Sequence, residues 1–363
     1  MRRQELTVTA AGKQREIDCR GLFPAEESAY AKFARDAWGQ HSRQSDPSFL
    51  DWLYKENPNT LGVERDLLVL CDGGQIVGSH HRMRIPWRLN GEAVIVPALH
   101  DLFVFESHRG QSGQDNLLPP GLRLMLAALE KEAHVAIFGL NPIADTIYER
   151  MRIPKIEVFW LQNVRSRVKA GMQIAASALG WTVRARREAS RDVRPSHGHE
   201  ILRTAAPTDD DLSAALSVSA TTATHPDWDL ASFRWRFFHK LGPRNILFLA
   251  RKHGDVLGRA VVSIGMRNGV AVARIVDLVF QDQDCLQGLC AEMDRSFSEI
   301  GAPLCLAVTG STDVAQCLRR AGWEDRNKPI GARWFARRKE ARPMDFSISG
   351  GAWDFGCDTR IGD

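Results

Sequence analysis

One stretch of the sequence combines residue types that could bind a phosphate. An apolar run that predicts a strand ends at about Phe105, and a glycine-containing loop, HRGQSGQDNLLPPG, follows it. Pro119 and Pro120 then begin a predicted helix, because proline suits the first helical turn, where its missing N–H would be unpaired. Such a loop presents backbone N–H groups and the positive end of a helix dipole, which together bind phosphate or pyrophosphate. The alternative is a strand-to-helix loop with no ligand.

The elements that position this loop occur twice along the chain. Trp52 in SFLDWLYKENP pairs with Trp235 in LASFRWRFFHKLGP, 183 residues later. Each is followed by a predicted β-hairpin, 67–78 and 246–258. A central strand follows in each half and places Asp101 opposite Asp277. Each half then continues with a helix, an apolar strand and a short helix, predicted at 120–133, 134–140 and 143–151 and at 285–300, 303–308 and 312–321. The alternation predicts a mixed α/β sheet in each half.

A polar segment, 195–211, separates the two halves, and we place the junction inside 181–206. The predicted domains are therefore residues 1–180 and 181–363. The stretch 163–194 carries eight Lys or Arg and two acidic residues. A solvated surface is the first interpretation of this basic stretch, and an anion-binding patch is the alternative.

Composition excludes several classes of protein. At 363 residues, 44% hydrophobic and 25% charged, the chain is long and apolar enough for about two folded domains. No apolar run is long enough to span a membrane, and the basic N-terminus lacks the apolar segment of a secretory signal. Seven scattered cysteines without a C-x-x-C pair predict free thiols in a reducing compartment, so we expect a cytoplasmic protein without a structural metal. A net charge of +4 is too small to indicate nucleic-acid binding.

The stretch 97–151 resembles the GNAT superfamily of acyl-CoA-dependent N-acyltransferases. The matching residues are Asp101, Val104, Arg109, Gly110, Gly121, Leu124, Asn141, Ala144 and Tyr148, at the family's spacing in the last three. Segments 52–58 and 72–78 and the tail GAWDFGCDTRIGD are similar to a subgroup often met with cell-surface polysaccharide genes. The resemblance covers most of the chain. It implies two tandem GNAT-like domains, as in mycothiol synthase, N-myristoyltransferase and the Fem aminoacyltransferases.

Residue by residue, the resemblance implies a catalytic site in the first half. Tyr148 would be the general acid that protonates the departing thiolate, since a phenol is protonated at neutral pH; otherwise it packs its helix onto the sheet. The base would be Asp101 or His100, with water or another residue left open. Side-chain alternation predicts that these two face opposite sides of one strand. The residues implied to bind acyl-CoA are Phe103, Val104, Arg109, Gly110, Gly113, Gly121, Leu122 and Asn141.

The second half departs from this pattern. Leu318 stands at the tyrosine position, and no Arg-Gly loop follows Asp277. The second half is therefore expected to be degenerate and to build the acceptor site. Because Asp277 repeats Asp101 in that half, the aspartate is expected to be partly structural.

Two further groups of residues have alternative interpretations. The adjacent His80 and His81 point to opposite faces of a strand and cannot chelate one metal ion together, although either could line the acceptor cleft. Several aromatic residues could stack on sugar rings, but core packing is the first interpretation. These are Trp52, Tyr54, Trp87, Trp228 and Trp235.

The sequence thus predicts an acyl-CoA-dependent N-acyltransferase that acts on a primary amine, with an amino sugar or glycan precursor suggested by the subgroup resemblance. A Fem-like aminoacyltransferase that uses charged tRNA is one alternative, in which the basic 163–194 stretch would contact RNA. A non-catalytic acyl-CoA-binding protein is the other. The oligomeric state is not indicated.

Overall fold

The computed structural model describes residues 17–40, 42–60, 66–109, 118–179, 191–220, 224–267, 269–326 and 331–338. The strands are β1 (Ile17–Gly21), β2 (Leu67–Asp72), β3 (Gln75–Leu89), β4 (Glu92–Val104), β5 (His134–Leu140), β6 (Phe159–Val164), β7 (Asp192–Ser196), β8 (His199–Thr204), β9 (Thr224–Pro226), β10 (Asn245–Lys252), β11 (Asp255–Arg267), β12 (Val270–Phe280), β13 (Leu304–Thr309), β14 (Glu324–Asp325) and β15 (Gly331–Ala336). The helices are α1 (Glu27–Trp38), α2 (Pro47–Leu50), α3 (Pro120–Leu129), α4 (Pro142–Arg150), α5 (Arg167–Ala178), α6 (Asp209–Leu216), α7 (Leu230–Phe233), α8 (Gln283–Ile300) and α9 (Thr312–Arg320).

These strands form two mixed sheets, as the sequence predicts. The first has the order β1-β2-β3-β4-β5-β15, with β9 beside β3, and the second has the order β14-β6-β13-β12-β11-β10-β8-β7. The β4–β5 and β12–β13 pairs are parallel, and the other described pairs are antiparallel. Each parallel pair is connected through a helix, α3 or α8, as a parallel connection requires.

Each sheet takes one strand from the other half of the sequence. β6 precedes the predicted boundary at residues 180 and 181, yet it pairs with β13 of the second sheet. β15 comes from the end of the second half and pairs with β5 of the first sheet. The division into domains 1–180 and 181–363 stays a prediction about folding units, while the sheets share strands across it.

The predicted repeat is confirmed where the two halves meet. Trp52 and Trp235 each lie in a π-helical turn, Asp51–Lys55 and Arg234–Phe238. The indole N–H of Trp52 donates to the carbonyl of Trp235 at 2.9 Å, and the indole N–H of Trp235 donates to the carbonyl of Trp52 at 2.6 Å. The rings stack with centroids 5.6 Å apart. Reciprocal bonds between equivalent residues indicate a pseudo-twofold relation between the halves.

The ends of α4 and α9 repeat as well. The carbonyl of Tyr148 accepts from the N–H of Ile153, and the carbonyl of Leu318 accepts from the N–H of Trp323, both at 3.0 Å. This equivalence places Leu318 at the position that Tyr148 occupies in the first half.

Candidate functional site

A bulge in β4 determines the geometry of the two base candidates. In the β3–β4 pairing Ser79 opposes Phe103 and His81 opposes His100, so one residue of β3 faces two of β4. Within the bulge Asp101 has φ 50°, in the left-handed region that few non-glycine residues adopt. The side chains of His100 and Asp101 therefore do not alternate: His100 Nδ1 lies 3.1 Å from Asp101 Oδ2. The prediction that they face opposite sides of the strand was wrong, because the bulge re-aims one of them.

An arginine from a distant segment completes this group. The guanidinium of Arg43 lies 3.2 Å from Asp101 Oδ2, and both side chains are largely buried. Burial alone would raise the pKa of Asp101, but Arg43 and His100 outweigh burial and hold it well below its usual range. His100 is buried, and its Nε2 has no hydrogen-bond partner among the described residues. The carboxylate thus stays ionised and orients an imidazole whose second nitrogen is available.

His81 packs beside this group and is itself fully bonded. The hydroxyls of Tyr30 and Tyr54 lie 2.5 Å from its Nε2 and 2.7 Å from its Nδ1. Its ring centroid is 5.2 Å from that of His100. Burial and the neighbouring His100 lower the pKa of His81 well below 6.5, and the same two causes lower the pKa of His80 to about 3. Both rings are neutral at pH 7. Among the described residues no group of three or more His, Cys, Asp or Glu could hold a metal ion.

Beside the bulge the central strands of the first sheet separate. β4 and β5 pair at Ala98 with Ala136 and at Leu99 with Ile137 only, although both strands continue. The N–H of Phe105 donates to Val77 of β3 at 2.9 Å. Because successive strand residues direct their N–H groups to opposite edges, the N–H of Val104 faces the edge from which β5 has separated. We call the region between β4 and β5 beyond these two residue pairs the slot, and the N–H of Val104 faces it.

Tyr148 lies on the other face of the sheet from the histidine group. It packs with Leu99, Val104 and Ile137, under helix α3. The side chain is 1% exposed, and its hydroxyl has no hydrogen-bond partner among the described residues. Burial raises the pKa of Tyr148, so the phenol is protonated at neutral pH. A buried hydroxyl without a hydrogen-bond partner lowers the stability of the folded protein. Such a group indicates either that a ligand binds there or that the protein tolerates this loss of stability.

The two helices that follow the central strands differ at their N-termini. The residue before α3 is Pro119, and among the described residues no side chain caps this helix. The residue before α8 is Asp282, whose carboxylate accepts from the N–H of Cys285 at 2.7 Å. A carboxylate at that place satisfies the donors and repels a phosphate, so only α3 has an N-terminus suited to an anion.

The residues that the resemblance assigns to acyl-CoA are distributed around α3 and α4. Gly110 and Gly113 lie outside the described residues. The Nε of Arg109 donates to the Val104 carbonyl at 2.7 Å, and its guanidinium lies 5.3 Å from the Phe103 ring. Arg109 is thus held against the end of β4.

Three other assigned residues have ordinary local roles. Gly121 and Leu122 lie half-buried in the first turn of α3. The Asn141 side chain accepts from the N–H of Ala144 at 2.9 Å and caps α4.

The equivalent aspartate of the second half has a different partner. Asp277 is buried against Arg259, with Nε and Oδ2 2.8 Å apart. Arg259 also donates to the carbonyls of Ala215 and Val218. Through these bonds Arg259 and Asp277 link β11, β12 and the end of α6, so the role of Asp277 is structural.

The aromatic residues considered as sugar-stacking platforms are all buried: Trp52, Tyr54, Trp87, Trp228 and Trp235. Core packing, the first interpretation from the sequence, is their role in this structure.

Sequence reasoning missed Arg43 and Tyr30. Arg43 is 58 residues from Asp101, and Tyr30 is 51 residues from His81. Neither belongs to a motif. Only the packing of α1 and the following turn onto the face of β3 and β4 brings them to the histidines.

Comparisons with solved structures give the same fold. A GCN5-related N-acetyltransferase from Anabaena variabilis aligns at a TM-score of 0.53 and 10% identity, over 88% of this chain and 72% of its own. One from Kribbella flavida aligns at 0.51 and 14%, over 88% and 70%. Saccharomyces cerevisiae N-myristoyltransferase with bound myristoyl-CoA aligns at 0.56 and 8%, over 88% and 82%. The chain therefore has a GNAT-like fold.

Comparisons of the sequence find no match: no protein-family model and no curated protein matches the chain. In the part of the chain that the structure describes, no helix is long and apolar enough to cross a membrane.

Proposed function

We propose that the chain transfers an acyl group from acyl-CoA to a primary amine and that the reaction takes place in the first half. The observation that carries the proposal is a pair of buried groups, His100 Nε2 and the Tyr148 hydroxyl, that have no hydrogen-bond partner among the described residues and lie on the two faces of the strand that borders the slot. The fold shared with N-acetyltransferases and with an N-myristoyltransferase that holds myristoyl-CoA supports the same reaction class.

In this proposal the acyl-CoA enters at the open N-terminus of α3. The uncapped N–H groups and Arg109 attract the pyrophosphate, since both supply positive charge there. The pantetheine arm extends along β4 where β5 has separated. The N–H of Val104 then polarises the thioester carbonyl, and such a preoriented donor is a large contribution in acyl transfer.

The amine approaches from the face that carries the histidines. An ammonium cannot attack, so His100 Nε2 accepts its proton, and Asp101 stabilises the resulting imidazolium across 3.1 Å. The neutral amine adds to the carbonyl carbon. When the C–S bond breaks, Tyr148 donates its proton to the thiolate from the opposite face. The amide nitrogen releases its second proton, which reprotonates the Tyr148 phenolate, and loss of the His100 proton to solvent returns the site to its starting state.

The second half would supply the acceptor site. Its Asp282 cap and Leu318 disfavour a second acyl-CoA site. Ligand pockets favour interfaces between such units, so we expect the acceptor to contact residues of both halves. An amino sugar or glycan precursor is the acceptor that the sequence resemblance suggests, in a cytoplasmic protein.

The experiment measures free thiol released from acetyl-CoA and myristoyl-CoA in the presence of amino sugars, nucleotide-linked amino sugars and alkylamines. The matched variants are Asp101→Asn and its repeat equivalent Asp277→Asn. Asp101→Asn should lower turnover about 100-fold or more and leave acyl-CoA binding intact. Asp277→Asn should alter stability and retain turnover per folded molecule.

Other outcomes separate the alternatives. An acyl-CoA-dependent rise in melting temperature without thiol release with any amine would favour a non-catalytic acyl-CoA-binding protein. Absence of both, with acyl transfer from aminoacyl-tRNA instead, would favour the Fem-like alternative. Equal turnover loss in both aspartate variants would contradict the assignment of the site to the first half.

A further inference from the structure

Helix α5 packs onto the second sheet with its polar side. Ser166, Ala170, Gln173 and Ser177 share one stripe, because their spacing of 4, 3 and 4 follows the helical period. The side-chain oxygen of Gln173 accepts from the N–H of Ala271 on β12 at 2.9 Å. Ala170 contacts the small apolar cluster of Val270, Val272 and Leu306.

The opposite side of α5 is apolar and exposed. Val168, Met172, Ala175 and Leu179 have the same spacing, displaced by two residues, which is about half a helical turn. Val168 is 76% exposed, Met172 67% and Leu179 69%. Ile174, at the border of this side, is also exposed. We call these five residues the α5 apolar face. Surface helices normally show the reverse arrangement, so an exposed apolar side of this kind indicates a binding surface.

The charged residues around the α5 apolar face indicate what kind of partner could cover it. Arg167 and Lys169 lie exposed beside the face, and Arg165 lies at its N-terminal end, paired with Asp294. From Val158 to Arg187 the sequence contains six Lys or Arg and no Asp or Glu. An apolar face on a helix that carries cations and no acidic residue is complementary to an anionic surface with an apolar interior.

The size of the face argues against a second copy of the chain. A helix of 12 residues is about 18 Å long and about 10 Å wide. Its outer side therefore offers roughly 200 Å², against the roughly 800 Å² per partner that a stable dimer buries. A lipid surface needs no complementary shape and accepts a helix of this size.

We infer that α5 is an interfacial membrane-binding helix, which inserts its apolar face into the surface of an anionic bilayer while Arg167 and Lys169 contact the lipid headgroups. The helix lies parallel to the surface and does not cross it. The inference is independent of the proposed reaction, because α5 contains none of the residues assigned to it.

Vesicle sedimentation with the full chain tests this inference. Vesicles of phosphatidylcholine alone are compared with vesicles that contain about one quarter phosphatidylglycerol. We expect binding to the anionic vesicles only, weakened by salt because the headgroup contacts are screened. Met172→Glu should reduce the partition coefficient about tenfold or more, and the pair Arg167→Gln and Lys169→Gln should reduce it severalfold.

Val193→Glu is the matched control. Val193 is also an exposed apolar residue of the second sheet, on β7, and its replacement should leave binding unchanged. Circular dichroism and thiol release should be unaltered in all these variants. Absence of binding to anionic vesicles, or equal losses in Met172→Glu and Val193→Glu, overturns the inference. It is also overturned if the chain forms a dimer that Met172→Glu dissociates, since a second copy then covers the face.

Discussion

The Tyr148 hydroxyl allows stability and catalysis to be separated by removing one atom. In the free protein this hydroxyl is buried without a partner among the described residues. Burying an unsatisfied hydroxyl costs about 1–3 kcal/mol. Tyr148→Phe keeps the ring and its packing, so we expect it to raise the free energy of unfolding by about 1–2 kcal/mol. For a chain of 363 residues the corresponding rise in melting temperature is about 1–3 °C.

The same substitution should damage the reaction. If Tyr148 protonates the leaving thiolate, the phenylalanine variant loses general-acid help worth about 10²–10⁴-fold in turnover. Acyl-CoA affinity should stay nearly unchanged, because the ring remains in place. The two assays are thermal or urea unfolding without ligand and steady-state thiol release with saturating acyl-CoA.

A second tyrosine provides the control. The Tyr54 hydroxyl is bonded to His81 Nδ1 at 2.7 Å, so Tyr54→Phe leaves a buried ring nitrogen unpaired and should destabilise the protein by about 1–3 kcal/mol. Opposite signs for the two variants would support the reasoning. A Tyr148→Phe protein that is less stable and fully active would refute it on both counts.

Three further predictions each concern the substitution of one residue. Arg152 has φ 57°, a left-handed conformation that strains a residue with a side chain, and the equivalent residue of the second half is Gly322. Arg152→Gly should therefore stabilise the protein by about 1 kcal/mol in urea unfolding. A loss of stability would show that this backbone strain is absent. The depressed pKa of Asp101 contributes stability above about pH 4, the unfolded value, and the contribution is lost as pH falls through the folded value. Arg43→Gln removes the main cause of that depression, so acid unfolding followed by circular dichroism should shift to higher pH; an unchanged profile would contradict it. Trp235→Phe leaves the Trp52 carbonyl without its donor and should cost about 1–3 kcal/mol in thermal unfolding, whereas a neutral effect would show that the reciprocal bonds contribute little.

The order of elements could be predicted from the sequence alone. Apolar periodicity and turn residues are local signals, and the repeat doubled the evidence for each element. The correspondence of Trp52 with Trp235, read from spacing, is confirmed by their mutual hydrogen bonds. Burial of the tryptophans also follows from side-chain chemistry, since large aromatic residues contribute most to α/β cores.

The arrangement of the candidate site required the tertiary structure. Side-chain alternation describes a regular strand, and the bulge at Asp101 is an exception that no local signal revealed. Arg43, 58 residues away from that aspartate, reaches it only because the segment after α1 packs over the sheet. The unpartnered state of the Tyr148 hydroxyl depends in the same way on every neighbouring side chain.

The pairing of β6 and β15 with strands of the other half, and the side of α5 that is exposed, also depend on tertiary contacts. β6 pairs with β13 and β15 pairs with β5 through backbone N–H and C=O groups, which every strand carries. The residues of these strands therefore do not indicate which sheet they join. A surface helix normally buries its apolar side, and α5 does not. The structure has the polar stripe against the sheet, because Gln173 supplies the acceptor that the Ala271 N–H at the start of β12 needs. Composition determines which groups must be satisfied, and tertiary contacts determine which partner satisfies them.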